Sequence, residues 1–187
     1  DKNGMNTGTG TATSALAAGG YDEPANASTN QTELWNGTNW TEVNNLNLAR
    51  RQMMSQGINN TSSIVAGGFM TPPSGSTVNV ETWNGTNWTE VNNLNQAKYA
   101  NGGLGIATAA LSIGGLTPSI TSNVEEWNGT NWTETTNYPA NSKNACGGGT
   151  TSSGLAYDGE NNPDSAVTTS HTWTGAGVAQ TKTFTDS

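Results

Sequence analysis

Four near-copies of one tryptophan-marked unit, Asn-Gly turns within them and no helical hydrophobic period predict an all-β chain of four-stranded units, the signature of a small β-propeller. The motif tryptophan recurs at Trp35, Trp83, Trp127 and Trp173, at spacings of 48, 44 and 46 residues. A second landmark precedes each: "SALAAGG" ending at Gly20, "SSIVAGG" at Gly68, "AALSIGG" at Gly115 and "SSGLAYDG" at Gly159. The units run approximately over 1–47, 48–95, 96–139 and 140–187 within one domain.

The second unit shows each element in turn. "QMMSQGI" reads as its first strand, and "TSSIVAGG" as a buried strand ending in a glycine bend. "VNVETW" alternates, with Val78, Val80 and Thr82 on one face and Asn79, Glu81 and Trp83 on the other. Asn84-Gly85 favours the positive φ of a tight hairpin, and "NWTEV" returns as the fourth strand. Close approach between units calls for the glycines, and the wedge between neighbouring sheets calls for the tryptophans.

The order Gly67-Gly68, Glu81 with Trp83, Trp88, then Lys98 with Gly102 resembles the kelch repeat. Gly19-Gly20, Glu33, Trp35 and Trp40 supply the same elements in the first copy. Gly114-Gly115, Glu125, Trp127 and Trp132 supply them in the third. The resemblance implies that each unit is a blade and that Glu33, Glu81 and Glu125 help hold the blades together. The Asn/Gly/Thr-rich form "WNGTNWTE" is also similar to repeats of phage virion and tail-fibre proteins.

The fourth unit departs from the pattern. His171 stands where the others have Glu, Asp158-Gly159 replaces Gly-Gly, and the second tryptophan is absent. Terminal units often differ because one face meets a different neighbour. Four units either close on themselves or form part of a larger ring or fibre; closure is the favoured expectation.

Composition limits the partners. Only 32% of residues are apolar and 11% charged, yet seven tryptophans at regular positions argue for packing and not disorder. Six basic against fourteen acidic residues, a net charge of −8, make nucleic acid a poor partner. The sequence has no apolar stretch of membrane-spanning length. Starting at Asp1, the chain reads as a processed product or a portion of something longer. Cys146, the single cysteine, cannot form an intrachain disulfide and reads as a buried thiol. Met53, Met54, Ala97 and Cys146 fall in or near first strands and read as packing around a narrow channel.

No catalytic constellation is expected. His171, the only histidine, occupies a structural Glu position and has no second histidine to share a metal. Kelch-type copper radical oxidases need paired histidines and a cysteine-crosslinked tyrosine, which this inventory does not supply. Glu33, Glu81 and Glu125 recur one per unit, so they read as packing groups and not as a close pair for glycoside hydrolysis. A calcium ion on "YDGENNPD", through Asp158, Glu160 and Asp164, is a minor alternative; no cofactor is expected.

Two functions fit. The first is a non-enzymatic structural or decoration module of a virion or extracellular assembly, with protein partners or self-association. The second is a glycan-binding adhesin or receptor-binding propeller that stacks cell-surface sugars on exposed Trp35, Trp83 and Trp127. Buried rings favour the first, and a matching set of exposed rings the second.

Overall fold

The computed structural model describes residues 7–157, 159–161, 165–166, 169–175 and 180–183, and these form an all-β structure without helices. The first sheet comprises β1 (Thr7–Thr11), β2 (Ser14–Asp22), β3 (Ala27–Trp35) and β4 (Trp40–Val43). The second comprises β5 (Met54–Asn59), β6 (Ser62–Ala66), β9 (Val80–Trp83) and β10 (Trp88–Val91). Between β6 and β9 lies the small hairpin β7 (Phe69–Met70) and β8 (Gly75–Ser76), which the strand periodicity does not foretell. The third comprises β11 (Gly102–Ile106), β12 (Ala109–Ile113), β13 (Val124–Trp127) and β14 (Trp132–Glu134). In the fourth, β15 (Cys146–Thr150), β16 (Ser153–Tyr157), β19 (Thr169–Trp173) and β20 (Gln180–Thr183) surround a second small hairpin, β17 (Glu160–Asn161) with β18 (Ser165–Ala166). Within each four-stranded sheet neighbouring strands run antiparallel and follow chain order.

The recurrent "WNGTNW" forms the same hairpin in the first three sheets. Trp35 pairs with Trp40, Trp83 with Trp88 and Trp127 with Trp132. Four residues connect each pair. The side-chain oxygen of the first Asn (Asn36, Asn84 or Asn128) accepts hydrogen bonds from the backbone N–H groups two and three residues on, all between 2.9 and 3.0 Å. The following glycine takes φ of 93°, 93° or 92°, a region that penalises any side chain.

Packing between sheets follows one rule. Side chains alternate along a strand. In β6, Val65 therefore faces the first sheet with Trp83 and Trp88, against Leu16, Ala18 and Leu46. Ile64 and Ala66 face the other way and, with Val80 and Leu94, receive Trp127 and Trp132 of the third sheet. Leu104, Leu111, Ile113 and Val124 of the third sheet then receive Trp173 and Ala156 of the fourth. Each later sheet thus lays its tryptophans on the apolar face of the sheet before it. Removing a ring of about 150–250 Å² from water contributes roughly 4–6 kcal/mol before ordering costs.

First strands stand side by side, β1 against β5, β5 against β11 and β11 against β15. Gly8, Met54, Gly103 and Cys146, one from each, border a central cavity of about 250 Å³. Met53 and Met54 are buried, as expected for packing beside a channel. The two ends of the series are open: Trp40 is 49% exposed on the first sheet and Tyr157 48% exposed on the fourth. The expected closure of four units onto themselves is therefore not seen among the described residues.

Candidate functional site

The repeated glutamates lie between sheets. Glu81 of β9 is 1% exposed, and its Oε1 lies 3.0 Å from Arg50 Nη2, itself fully buried. Arg50 arrives on the loop between β4 and β5, so the ion pair joins the first sheet's exit to the second sheet. Asn47 donates its backbone N–H and Nδ2–H to Glu81 Oε2, both at 2.8 Å. Arg50 Nη1 donates to the carbonyl of Gly67 at 2.9 Å and also to that of Asn79. The next interface repeats the set: Lys98 Nζ lies 2.9 Å from Glu125 Oε1, and Asn95 donates from N and Nδ2 to Glu125 Oε2 at 2.7 and 2.9 Å. Lys98 Nζ also donates to Asn123 Oδ1 at 2.8 Å. Burial pushes the Arg50 guanidinium and the Lys98 amine below their ordinary values, and the adjacent Glu81 and Glu125 oppose that shift. Such charges are tolerable only because nearly every oxygen and nitrogen has a partner.

Gly-Gly stands where the cation-bearing loop crosses. The carbonyls of Arg50, Lys98 and Ser142 accept from the N–H groups of Gly20, Gly68 and Gly115, at 3.0, 2.8 and 2.8 Å. Gly19, Gly67 and Gly114 take φ of 66°, 70° and 61° there. A Cβ on Gly67 would stand 2.5 Å from the Lys98 carbonyl oxygen.

The third interface uses other chemistry. His171 occupies the carboxylate's position in β19, Ser142 that of the cation, and Tyr138 that of Leu46 and Leu94. All three are buried. Tyr138 meets His171 edge-on, with ring centroids 4.6 Å apart at 75°. The charged pair has thus been replaced at both ends together, and His171 lies buried at the interface against Tyr138.

The three tryptophans expected to stack sugars do not form a matching set. Trp83 and Trp127 are each 2% exposed, packed on the preceding sheet, and no ligand can lie on their faces. Their indole nitrogens donate to the carbonyls of Asn60 and Ala107 at 2.9 and 3.2 Å. Trp35 is half-buried and donates to the Ala12 carbonyl at 2.9 Å. Trp88, Trp132 and Trp173 are buried, and Trp88 Nε1 donates to Thr32 Oγ1 of the first sheet at 2.9 Å. Trp40 is open where Trp88 and Trp132 are buried, because among the described residues no preceding sheet covers it. Cys146, expected to be a buried thiol, is instead exposed: it lies opposite Tyr157 on the face of the fourth sheet that no following sheet covers among the described residues.

Of the calcium candidates, Asp158 and Asp164 lie outside the described residues. Glu160 instead pairs with Lys143 at 3.1 Å and accepts from Asn144 Nδ2 at 3.2 Å. Among the described residues no group of three metal-ligating side chains gathers, and no helix is long and apolar enough to cross a membrane.

Arg50, Asn47 and Asn95 escaped the motif reading, although "NNLNLAR" and "NNLNQAK" carry them at matching positions. A further pair of clasps was also missed: Asn44 Nδ2 donates to Thr86 O and Asn87 Oδ1 at 3.0 and 2.8 Å, and Asn92 Nδ2 does the same to Thr130 O and Asn131 Oδ1 at 2.9 and 2.8 Å. These asparagines tie each sheet to the turn of the next. No family model and no curated protein matches this chain.

Proposed function

We propose that this chain is a non-catalytic structural or decoration module of a virion or extracellular assembly, its four sheets serving as kelch-like blades of a propeller-type arc. The observation that carries this reading is the fate of the repeated polar and aromatic residues. Glu81, Glu125, Trp83, Trp88, Trp127 and Trp132 are all consumed by sheet-to-sheet contacts. What the repeat builds is a stack of interfaces, and its unsatisfied apolar surface lies at the two ends. A net charge of −8 spread over a weakly charged chain suits a crowded surface that should not bind nucleic acid.

The test is to purify native particles or surface layers from the source and measure two things on them. Mass spectrometry gives the mature polypeptide, and antibody-gold labelling locates this chain by electron microscopy. Stoichiometric labelling of a fibre or particle is expected. A chain recovered only as free monomer, with no labelled assembly, overturns the reading.

The glycan-binding reading retains one open aromatic surface, Trp35 with Trp40, whose ring centroids lie 5.6 Å apart at 39°. Neutral oligosaccharide binding that is lost in Trp40→Ala would favour that reading over the structural one.

A further inference from the structure

The sheet-to-sheet contact is made three times within the chain, and its aromatic and apolar surfaces stay partly exposed at the two ends of the described residues. The half that supplies tryptophans is free on the first sheet. There Trp40 is 49% exposed and Trp35 half-buried, whereas Trp83, Trp88, Trp127 and Trp132 are exposed by 2–6%. The half that receives tryptophans is free on the fourth sheet. Tyr157 occupies the register position of Ala66 and Ile113: it lies opposite Cys146 just as Ala66 lies opposite Met54 and Ile113 opposite Gly102. Leu155 occupies that of Ile64 and Leu111, two residues earlier. Ile64, Ala66, Leu111 and Ile113 are 0–1% exposed beneath the next sheet, while Tyr157 is 48% exposed and Leu155 only partly covered. One chain therefore presents two complementary faces, matched by a contact already made three times, and leaves both wet.

We propose that the exposed Trp35–Trp40 face of the first sheet docks on the Leu155–Tyr157 face of the fourth sheet of a second copy of this chain, continuing the internal interface from one molecule to the next. This inference rests on the assembly reading above and names its contact. Such head-to-tail contacts use different surfaces on the two partners and generate a ring where the rotation closes and a filament where it does not. Large exposed aromatic surface rimmed by polar residues is characteristic of such joining faces.

The register also states which atoms should meet. At the interface of the second and third sheets, Met54 lies against Gly103, so a Cβ on Gly103 would touch the Met54 side chain. The free-end equivalents are Cys146 on β15 and Gly8 on β1, since Gly8 opposes Ala17 as Gly103 opposes Ser112. A Cβ on Gly8 would find its nearest neighbour at an ordinary 3.6 Å, so a side chain fits there. Gly8→Cys is therefore expected to form a disulfide with Cys146 of the next molecule on mild air oxidation.

The experiment uses the full chain. Sedimentation velocity over a hundredfold concentration range should show concentration-dependent association, reduced at least tenfold in affinity by Trp40→Asp and, separately, by Tyr157→Asp. Both substitutions lie outside the three internal interfaces, and circular dichroism and Tm should remain near those of the parent. Oxidised Gly8→Cys should run as covalent dimers and larger species on a non-reducing gel, in excess of any Cys146–Cys146 dimer of the parent chain. Gly8 and Cys146 also border the same cavity within one molecule. A disulfide-linked monomer would therefore show that the ends close on each other, and would overturn the proposal. So would a parent chain monomeric at all concentrations, or association that survives both Asp substitutions. If labelled particles carry the chain while these assays fail, only the self-docking is lost; absence from particles removes the assembly reading itself.

Discussion

Arg50 Nη2 lies 3.0 Å from Glu81 Oε1 across the junction of the first two sheets, and neither side chain is more than 1% exposed. Lys98 and Glu125 repeat the relationship one junction on, at 2.9 Å. At the third junction Ser142 and His171 stand in these two positions. The joint change has a simple cause. A buried charge left without its partner is costly, so the two positions must change together.

Breaking one side of this pair should be severe. Glu81→Ala leaves the Arg50 guanidinium buried without its carboxylate, and a loss of roughly 3–5 kcal/mol is expected. Introducing Arg50→Ser, Glu81→His and Leu46→Tyr together copies the third junction and should recover much of that loss. Urea unfolding followed by tryptophan fluorescence measures both. A single variant as stable as the parent would show that the pair holds nothing together.

Lys98 gives a pH signature. Burial sets its amine below the ordinary 10.5 despite the opposing pull of Glu125. Between the folded and unfolded values the unfolded chain holds more protons, so this group's contribution to stability rises with pH across that window. Below the folded value the contribution is flat. Urea midpoints of the parent and of Lys98→Met, compared from pH 7 to 10.5, should show the parent gaining relative to the variant as the solution becomes alkaline. A falling difference would reverse the assigned sign.

Glycine identity should matter by position. Gly67 sits at φ 70°, and a Cβ there would stand 2.5 Å from the Lys98 carbonyl oxygen. Gly67→Ala should cost about 2 kcal/mol or more, from left-handed strain of about 1–2 kcal/mol plus displacement of the crossing loop. Gly75 has nothing within 4 Å of its would-be Cβ, and Gly75→Ala should stay within about 0.5 kcal/mol of the parent. Thermal unfolding of the two variants side by side is the check.

Two tryptophans in the same motif position should behave differently. Trp88→Ala removes a ring 6% exposed and its hydrogen bond to Thr32, for an expected loss of about 3–5 kcal/mol. Trp40→Ala removes a ring already 49% exposed and should cost the monomer less than about 1.5 kcal/mol. Chemical denaturation at a concentration where the chain is monomeric separates them. Equal losses would mean that Trp40 is covered in solution.

Much of the local structure was legible in the residues. The Asn-Gly of "WNGTNW" dictates its hairpin because the asparagine oxygen accepts two backbone N–H groups and the glycine alone tolerates φ near 93°. "TSSIVAGG" read as a buried strand ending in a glycine bend, and its Ile64 and Val65 are both buried, on opposite faces of the sheet. The turn follows from bonds within a few residues, whereas the segment that meets Gly67 and Gly68 comes from Lys98, about 30 residues on. The partners of Glu81 and Glu125 were only partly legible, since Arg50 and Asn47 lie 31 and 34 residues from Glu81 in sequence.

Burial was decided by the tertiary structure alone. "LWNGTNWTEV" and "TWNGTNWTEV" are almost the same string and fold into the same hairpin, yet Trp88 is buried and Trp40 is open. Nothing within either string distinguishes them. The difference is the presence of a preceding sheet, which Trp88 has and Trp40 lacks. Cys146 is exposed by the same rule at the other end, since among the described residues no following sheet covers its face. A strand's sequence states which of its faces is apolar, and only the arrangement of whole sheets determines whether that face meets protein or water.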